Sequence, residues 1–423
     1  MPRTRRAAAL EFSGWSCAQP QGTVLAHITG VKLSVISGSA NWGLATSVAE
    51  ALGVALCRRS VHRFADGELH VDIEESVREH DVYVVQPTSP PVDEHVMEVL
   101  FLADACRRAG AARLTAILPY FGYARQDRRT SRREAVGARV IADLIEAAGY
   151  ARLVAIDLHT PAIEGFFHIP LEHLSAVQRL ADAVRATSDS VIVAPDLGAV
   201  KLAERFRSLL HLPVAVVHKT RVTGTDVLIR SIIGDVKDRA PIVVDDMIST
   251  GGTVEAAVKG LLEAGCKPEV SVVATHALFV GPAVKRLQPL PIRELIVTNT
   301  VDITPELPAQ LRVVDVAGMI ADAISHLHRD QSSATISTRR TMSEPSLPIA
   351  PEAPLSQLER ALIDDYVRAR GYDPLKLADL PEAERDGVLK DASIYASGKL
   401  TEVESRSHFI EEIHDVAPGS IIP

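Results

Sequence analysis

The chain has 423 residues, 47% of them hydrophobic, and a formal net charge of −9. That length suits two or three domains with cores of their own. The acidic balance excludes a general surface for nucleic acid or anionic membrane, which takes clustered positive charge. Residues 1–30 place Arg3, Arg5 and Arg6 ahead of a short alanine run, too little apolar length for a signal sequence, and read as an N-terminal extension. From residue 31 onward, β-branched runs at 31–37, 81–86, 113–119, 153–157, 190–194, 213–217, 241–245, 270–275 and 294–297 predict strands. Between them, 41–52, 97–108, 138–148, 199–210 and 253–264 carry amphipathic helical patterns. Such alternation predicts an α/β fold of parallel sheets covered on both faces, with ligands beyond the carboxyl ends of the strands. Two similar halves meet near 165–180, so two facing lobes are expected, 31–170 and 171–316, with 317–328 a candidate for completing the first. After His328 the chain turns rich in Ser, Thr and Pro, and 331–354 reads as a linker. Helical pattern returns with Leu358, Leu362, Ile363 and Tyr366 and again after Pro381, making 355–423 a small helical appendage. Its cluster His408, Glu411, Glu412 and His414 has metal-binding spacing but reads better as a solvated helix face. Cys17, Cys57, Cys106 and Cys266 form no C-x-x-C pair and no zinc spacing, as expected of reduced thiols in a cytoplasmic protein, and no apolar run is long enough for a membrane span.

The strongest local signal is Ile242-Val243-Val244-Asp245-Asp246-Met247-Ile248-Ser249-Thr250-Gly251-Gly252-Thr253. An apolar strand ends in two carboxylates, then a hydroxyl- and glycine-rich turn opens a helix. Paired carboxylates can accept from vicinal ribose hydroxyls. The turn from Ser249 to Thr253 offers backbone N–H groups, hydroxyls and a helix N-terminus, which together make an anion site. One loop can therefore hold a sugar at one end and its phosphate at the other. Ordinary helix capping would leave the second acid and the second glycine without a purpose.

Three further stretches point to a polyphosphate. Pro119-Tyr120-Phe121-Gly122-Tyr123-Ala124-Arg125-Gln126-Asp127-Arg128-Arg129 begins a segment with five arginines between 125 and 133, suited to forked contacts with phosphate oxygens. On charge alone a solvated basic face competes with that reading. Ile156-Asp157-Leu158-His159-Thr160 puts a histidine just past a strand end, where it could bind a metal or orient a phosphate, although a lone histidine is more often structural. Arg63-Phe64-Ala65-Asp66-Gly67-Glu68 combines an aromatic with two carboxylates around a glycine; by itself it reads first as a hairpin turn.

Taken together, these stretches resemble the ribose-phosphate pyrophosphokinase family from about residue 31 to 327. The resemblance implies two phosphoribosyltransferase-like lobes and transfer of the β,γ-diphosphate of MgATP to O1 of ribose 5-phosphate, giving phosphoribosyl diphosphate (PRPP) and AMP. It implies that Phe64, Asp66 and Glu68 hold adenine from a neighbouring subunit, and that Arg125 and Gln126 bind the ATP phosphates. His159 and Asp196 would serve Mg2+. Asp245, Asp246, Ser249, Thr250, Gly251, Gly252 and Thr253 would bind ribose 5-phosphate. Lys219 and Arg221 match the family's catalytic cations at the start of a loop running to about 233. The expected partners are ATP, ribose 5-phosphate and further copies of the chain, in a dimer-based assembly with a hexamer as one form, and neither nucleic acid nor membrane. Ser76, Arg78, Ser131 and Arg132 match an allosteric phosphate site. Three positions depart from the pattern: Ser249 replaces a common aspartate, Ala199 a glycine and Ala162 a glutamine. Because alanine at 162 can neither donate nor accept, and the residues after His328 depart from the family's terminal segment, weaker regulation by phosphate and ADP is expected. The alternatives are a catalytically silent regulatory homologue and a phosphoribosyltransferase. The second would need neither the 64–68 turn nor the arginine cluster, and retention of Lys219 and Arg221 counts against the first.

Overall fold

The computed structural model describes residues 31–129, 132–221, 227–303 and 310–329, with 363, 367, 370, 372, 385 and 387–393; the side chains of 219–221 and 227–230 lie outside that description. The first lobe begins with β1 (Leu33–Ser37), α1 (Trp42–Leu52), β2 (Leu56–Cys57), β3 (Arg59–Arg63), β4 (Leu69–Ile73), β5 (Asp81–Val85), α2 (Val92–Arg108) and β6 (Arg113–Leu118). It continues with α3 (Gly137–Ala148), β7 (Arg152–Ile156), a 3-10 turn at Pro161–Phe166 and β8 (Leu171–Leu174). The second contains α4 (Val177–Ala183), β9 (Ser190–Ala194), α5 (Val200–Leu210), β10 (Val214–Arg221), β11 (Val227–Ile233), β12 (Ala240–Ile248) and α6 (Gly252–Glu263). Then come β13 (Val270–Ala277), α7 (Ala283–Leu287), β14 (Ile292–Thr298), β15 (Leu311–Val314) and α8 (Ala317–His328).

The first sheet is parallel in the order β2-β1-β5-β6-β7-β8, and the second has the order β11-β10-β9-β12-β13-β14-β15, parallel except where β11 returns antiparallel beside β10. β3 and β4 form a separate antiparallel hairpin. The strand β8 pairs with β7, so the first sheet runs four residues past the expected boundary at 170/171, and the chain changes lobes between Leu174 and Val177.

Period-two alternation decides which face each strand residue covers. On β5, Val82 and Val84 join the core under α2 and α3, whereas Tyr83 and Val85 face the opposite way. That opposite core is shared: α1 and α8 from one side and α4 and α5 from the other fill it, touching Ile192, Val244 and Val273 of the second sheet. The outer face of the second sheet packs under α6 through Val254, Ala257, Val258 and Leu261. Fully burying an aliphatic or aromatic side chain such as Phe206 or Leu44 is worth about 1.5–3 kcal/mol, so the common helical layer makes the two lobes mutually dependent.

Local signals set the element ends. Asn41 Oδ1 accepts from Leu44 N at 3.0 Å to begin α1, and Gly53 at φ +69° ends it. Gly122 follows β6 at a point where a Cβ would stand 2.5 Å from the Thr88 carbonyl oxygen, so no larger residue fits without displacing backbone. Beyond the described core, 387–393 are helical and Val367 and Ala392 are fully buried. The expected linker 331–354, the stripe of Leu358, Leu362 and Tyr366, and His408, Glu411, Glu412 and His414 lie outside the described residues. Among the described residues, no helix is long and apolar enough to cross a membrane.

Candidate active site

The carboxyl ends of β7 and β12 meet across the two lobes. At the end of β7, Asp157 adopts φ +39°, a left-handed conformation that turns the chain sharply. Its carboxylate holds that turn by accepting from Ser175 Oγ at 2.6 Å, Ala176 N at 2.9 Å and Thr275 Oγ1 at 2.8 Å. Leu158 N donates to His173 Nε2 at 2.9 Å, which fixes that ring's tautomer with the proton on Nδ1; burial lowers its pKa. His159, directed at the opposite lobe, meets Asp246 Oδ2 through Nδ1 at 2.6 Å.

Asp245 and Asp246 lie where β12 emerges from the sheet, both partly buried. Asp245 Oδ1 accepts from Asp246 N at 3.0 Å. Burial pushes the Asp246 pKa up, but the His159 charge and hydrogen bond, aided by His276, outweigh it and hold the carboxyl below the ordinary carboxylate range. Asp246 is therefore an ionised acceptor at neutral pH. The turn that follows is shaped by Gly251 at φ +76°, a conformation that favours glycine, and α6 starts at Gly252. The first N–H groups of α6, which lack intrahelical partners, and the hydroxyl-bearing residues Ser249, Thr250 and Thr253 thus lie together at one helix N-terminus, a setting that favours an anion.

Tyr120 lies behind the meeting point. Its ring packs with Met247 and Val301 and edge-on to His276, with centroids 5.1 Å apart. Burial pushes the Tyr120 hydroxyl up to about 12, moderated by the nearby Arg125 and reinforced by Asp246. Arg125 and Asp246 therefore flank the same tyrosine. His276 is buried, with Nε2 3.2 Å from the Asp157 carbonyl oxygen and Nδ1 3.0 Å from Thr300 Oγ1. Asn41 Nδ2 donates to the Asn299 carbonyl at 2.9 Å, a further link between the lobes.

The remaining expected residues are dispersed. Gln126 lies against the start of α3: its carbonyl accepts from Ala138 N at 3.1 Å, and its side chain covers Gly137. Asp196 follows β9, where Oδ1 accepts from Gly198 N at 3.0 Å and Ala199 N at 3.3 Å. Ala199 has φ −82°, so alanine in place of glycine causes no backbone strain. Phe64, Asp66 and Glu68 sit on the exposed tip of the β3–β4 hairpin. There Asp66 Oδ1 accepts from Glu68 N at 3.1 Å, and Phe64 packs edge-on to His62 and His70. The backbones of Lys219 and Arg221 lie at the end of β10 beside β11. Ser76, Arg78 and Arg132 are exposed, and Ser131 is outside the described residues.

Sequence reading gave no role to His276 or Arg286. Thr275-His276 sits near the carboxyl end of β13, after the mostly apolar stretch 270–274, a polar strand end of the same kind that drew attention to Asp245. Arg286 offers no such signal, because what it touches depends on how α7 folds back onto α6.

The N-terminal domain model of ribose phosphate pyrophosphokinase matches residues 33–149, and the phosphoribosyl synthetase-associated domain model matches 228–337. The chain is 46% identical over 312 residues to a ribose-phosphate pyrophosphokinase of Gloeobacter violaceus, covering 72% of this chain and 93% of that protein. It is 41% identical over 310 residues to one of Staphylococcus aureus, covering 72% and 96%. Among solved structures, phosphoribosylpyrophosphate synthetase from Mycobacterium smegmatis superposes with a TM-score of 0.67 at 41% identity, over 71% of this chain and 99% of that one.

Proposed function

The chain belongs to the ribose-phosphate pyrophosphokinase family, and we propose that it is an active enzyme that moves the β,γ-diphosphate of ATP onto O1 of ribose 5-phosphate. The observation that carries this reading is the meeting of the two lobes. The sugar-phosphate loop of the second lobe lies within 2.6 Å of the first lobe's His159, through Asp246. Asp245 and Asp246 would take the ribose hydroxyls, and the turn 249–253 the 5-phosphate. Arg125 and Gln126 would bind the ATP phosphates, and Phe64, Asp66 and Glu68 the adenine. Because the 64–68 tip is exposed, an adenine stacked there needs a second wall, which a neighbouring copy of the chain would supply.

In the reaction, O1 of the ribose attacks the β-phosphorus in line. The new O1–P bond forms as the bond from the β-phosphorus to the α,β-bridging oxygen breaks; AMP leaves with that oxygen, and the O1 proton is released. Charge builds on non-bridging oxygens, so positioning and cationic stabilisation supply most of the acceleration. Lys219 and Arg221 would provide that stabilisation.

A magnesium ion suits the donors present. Among the described residues, no group of three or more His, Cys, Asp or Glu side chains could hold a metal ion. Magnesium commonly keeps water and takes substrate phosphates alongside one or two protein ligands. His159 and Asp196 would hold it, directly or through water, and when bound it would neutralise triphosphate charge. The deciding experiment incubates the pure full-length protein with ATP, magnesium and ribose 5-phosphate and quantifies PRPP and AMP. Equimolar formation of both is expected. Absence of both, with folded protein, points to a silent homologue.

A further inference from the structure

We propose that Arg286 is a positioning residue for the ribose-phosphate loop, holding Thr250 so that its hydroxyl hydrogen points to the bound 5-phosphate; this rests on the function proposed above. The loop is supported from behind by the segment that follows β13. Leu278 N and Phe279 N each donate to the Ile248 carbonyl at 3.0 Å, and Val280 N donates to the Ser249 carbonyl at 3.1 Å. Ala283, fully buried at the start of α7, sits so close beneath Gly251 that a Cβ there would lie 3.4 Å from its Cα and carbonyl oxygen.

From this support Arg286 reaches the loop. Its Nη1 donates to the Thr250 carbonyl and to Thr250 Oγ1, both at 3.3 Å, and would stand 3.0 Å from a Cβ at Gly252. Its Nε lies 3.5 Å from Glu255 Oε2 in the first turn of α6. A hydroxyl that accepts from a guanidinium on one lone pair keeps its own hydrogen for another acceptor. On this loop the natural acceptor is a phosphate oxygen. The guanidinium also places positive charge beside the first turn of α6, where the helix N-terminus already favours an anion. The side chain is 40% exposed, so it is not a core-filling group whose loss would collapse the lobe.

The test compares Arg286→Ala, Arg286→Lys and Arg286→Gln with the parent, using steady-state kinetics and calorimetric binding of ribose 5-phosphate. Lys285→Ala, which removes an exposed cation from the same short helix, is the control for long-range charge. We expect Arg286→Ala and Arg286→Gln to raise KM and Kd for ribose 5-phosphate by about tenfold. The KM for ATP should not change, kcat should stay within about twofold, and Arg286→Lys should recover part of the loss. An unchanged KM and Kd for ribose 5-phosphate would overturn the proposal. So would a parallel loss toward ATP, or an equal effect from Lys285→Ala. Because binding is read directly, Arg286-dependent Kd in a parent that makes no PRPP would uphold this inference while refuting the proposed activity.

Discussion

At the scale of single residues, Asp246 links the two halves of the site. Its carboxylate, held below the ordinary range by His159, is ionised at neutral pH and already takes a hydrogen bond from that histidine. If Asp246 takes a ribose hydroxyl as proposed, that hydroxyl would replace or share this bond, and sugar binding would be felt by the histidine expected at the metal. The two cations at the end of β10 have a different task. Their backbones lie on the strand next to β9, whose end leads to Asp196, and β9 in turn neighbours β12, which carries the acidic pair. Cations on that edge are most useful while the β-phosphorus is in transit. Lys219→Ala and Arg221→Ala should each lower kcat by about 10²–10³-fold while leaving ATP affinity nearly intact. Equal turnover in variant and parent, measured with saturating ATP, would remove them from the mechanism. The acidic pair and its turn were legible in the sequence because they are consecutive, and one loop displays them all. The place of Tyr120 beside His276 and Met247 was not, because it arises only when strands of the two lobes converge, and that of Arg286 was not, because it depends on how α7 packs against α6.

At the scale of elements, the last described helix shows how a distant segment is tied in. Buried Asp81 on β5 accepts from Arg113 Nε at 3.0 Å and Nη2 at 2.7 Å, from Tyr83 Oη at 2.8 Å and from His328 Nδ1 at 2.9 Å. His328 closes α8, so this carboxylate fastens the end of α8 to the first sheet. Burial pushes the Asp81 pKa up, but Arg113, His328 and Tyr83 together hold it below its ordinary value of 3.8. A depressed folded pKa gives stability that is complete above the unfolded value and lost as pH falls through the folded one. Acid unfolding followed by circular dichroism should therefore steepen below about pH 4. Asp81→Asn should flatten that region and lower stability at pH 7 by about 1–2 kcal/mol, less than for a fully buried ion pair because Arg113 is 38% exposed. Identical acid curves would show that the network contributes nothing. The central strands were legible because Val-rich runs such as 82–85 and 270–274 are buried on both faces. The hairpin strands β3 and β4 were not, since Arg59, His62, His70 and Asp72 break any apolar alternation, and β8 is too short to show a period.

At the scale of the whole molecule, regulation and the tail follow from what surrounds the two lobes. Of the expected effector residues, Ser76, Arg78 and Arg132 are exposed, and Ala162 lies exposed in the 3-10 turn just after His159. An alanine side chain there can neither donate nor accept, and each hydrogen bond lost to a charged ligand costs about 1.5–3 kcal/mol, at least tenfold in affinity. PRPP synthesis should therefore proceed in phosphate-free buffer, and excess ATP should relieve inhibition by ADP. Strict dependence on millimolar phosphate would contradict this. The tail can be argued from the cores. The three large clusters of buried apolar residues draw on positions from Val35 to Leu327, and α8 ends at His328. The relatives reach 93–99% coverage of their own length while matching only 71–72% of this chain, so they too manage without a counterpart to most of what lies beyond α8. Val367 and Ala392 are nonetheless fully buried. We propose an assembly or docking role for this segment, attached as it is to two lobes that already hold every residue assigned to the reaction. Truncation after Asp330 should leave kcat and KM for ATP and ribose 5-phosphate within about twofold, and the change should appear instead in oligomer mass by light scattering. A truncated protein that keeps its circular dichroism but makes no PRPP would place part of the catalytic machinery in the tail.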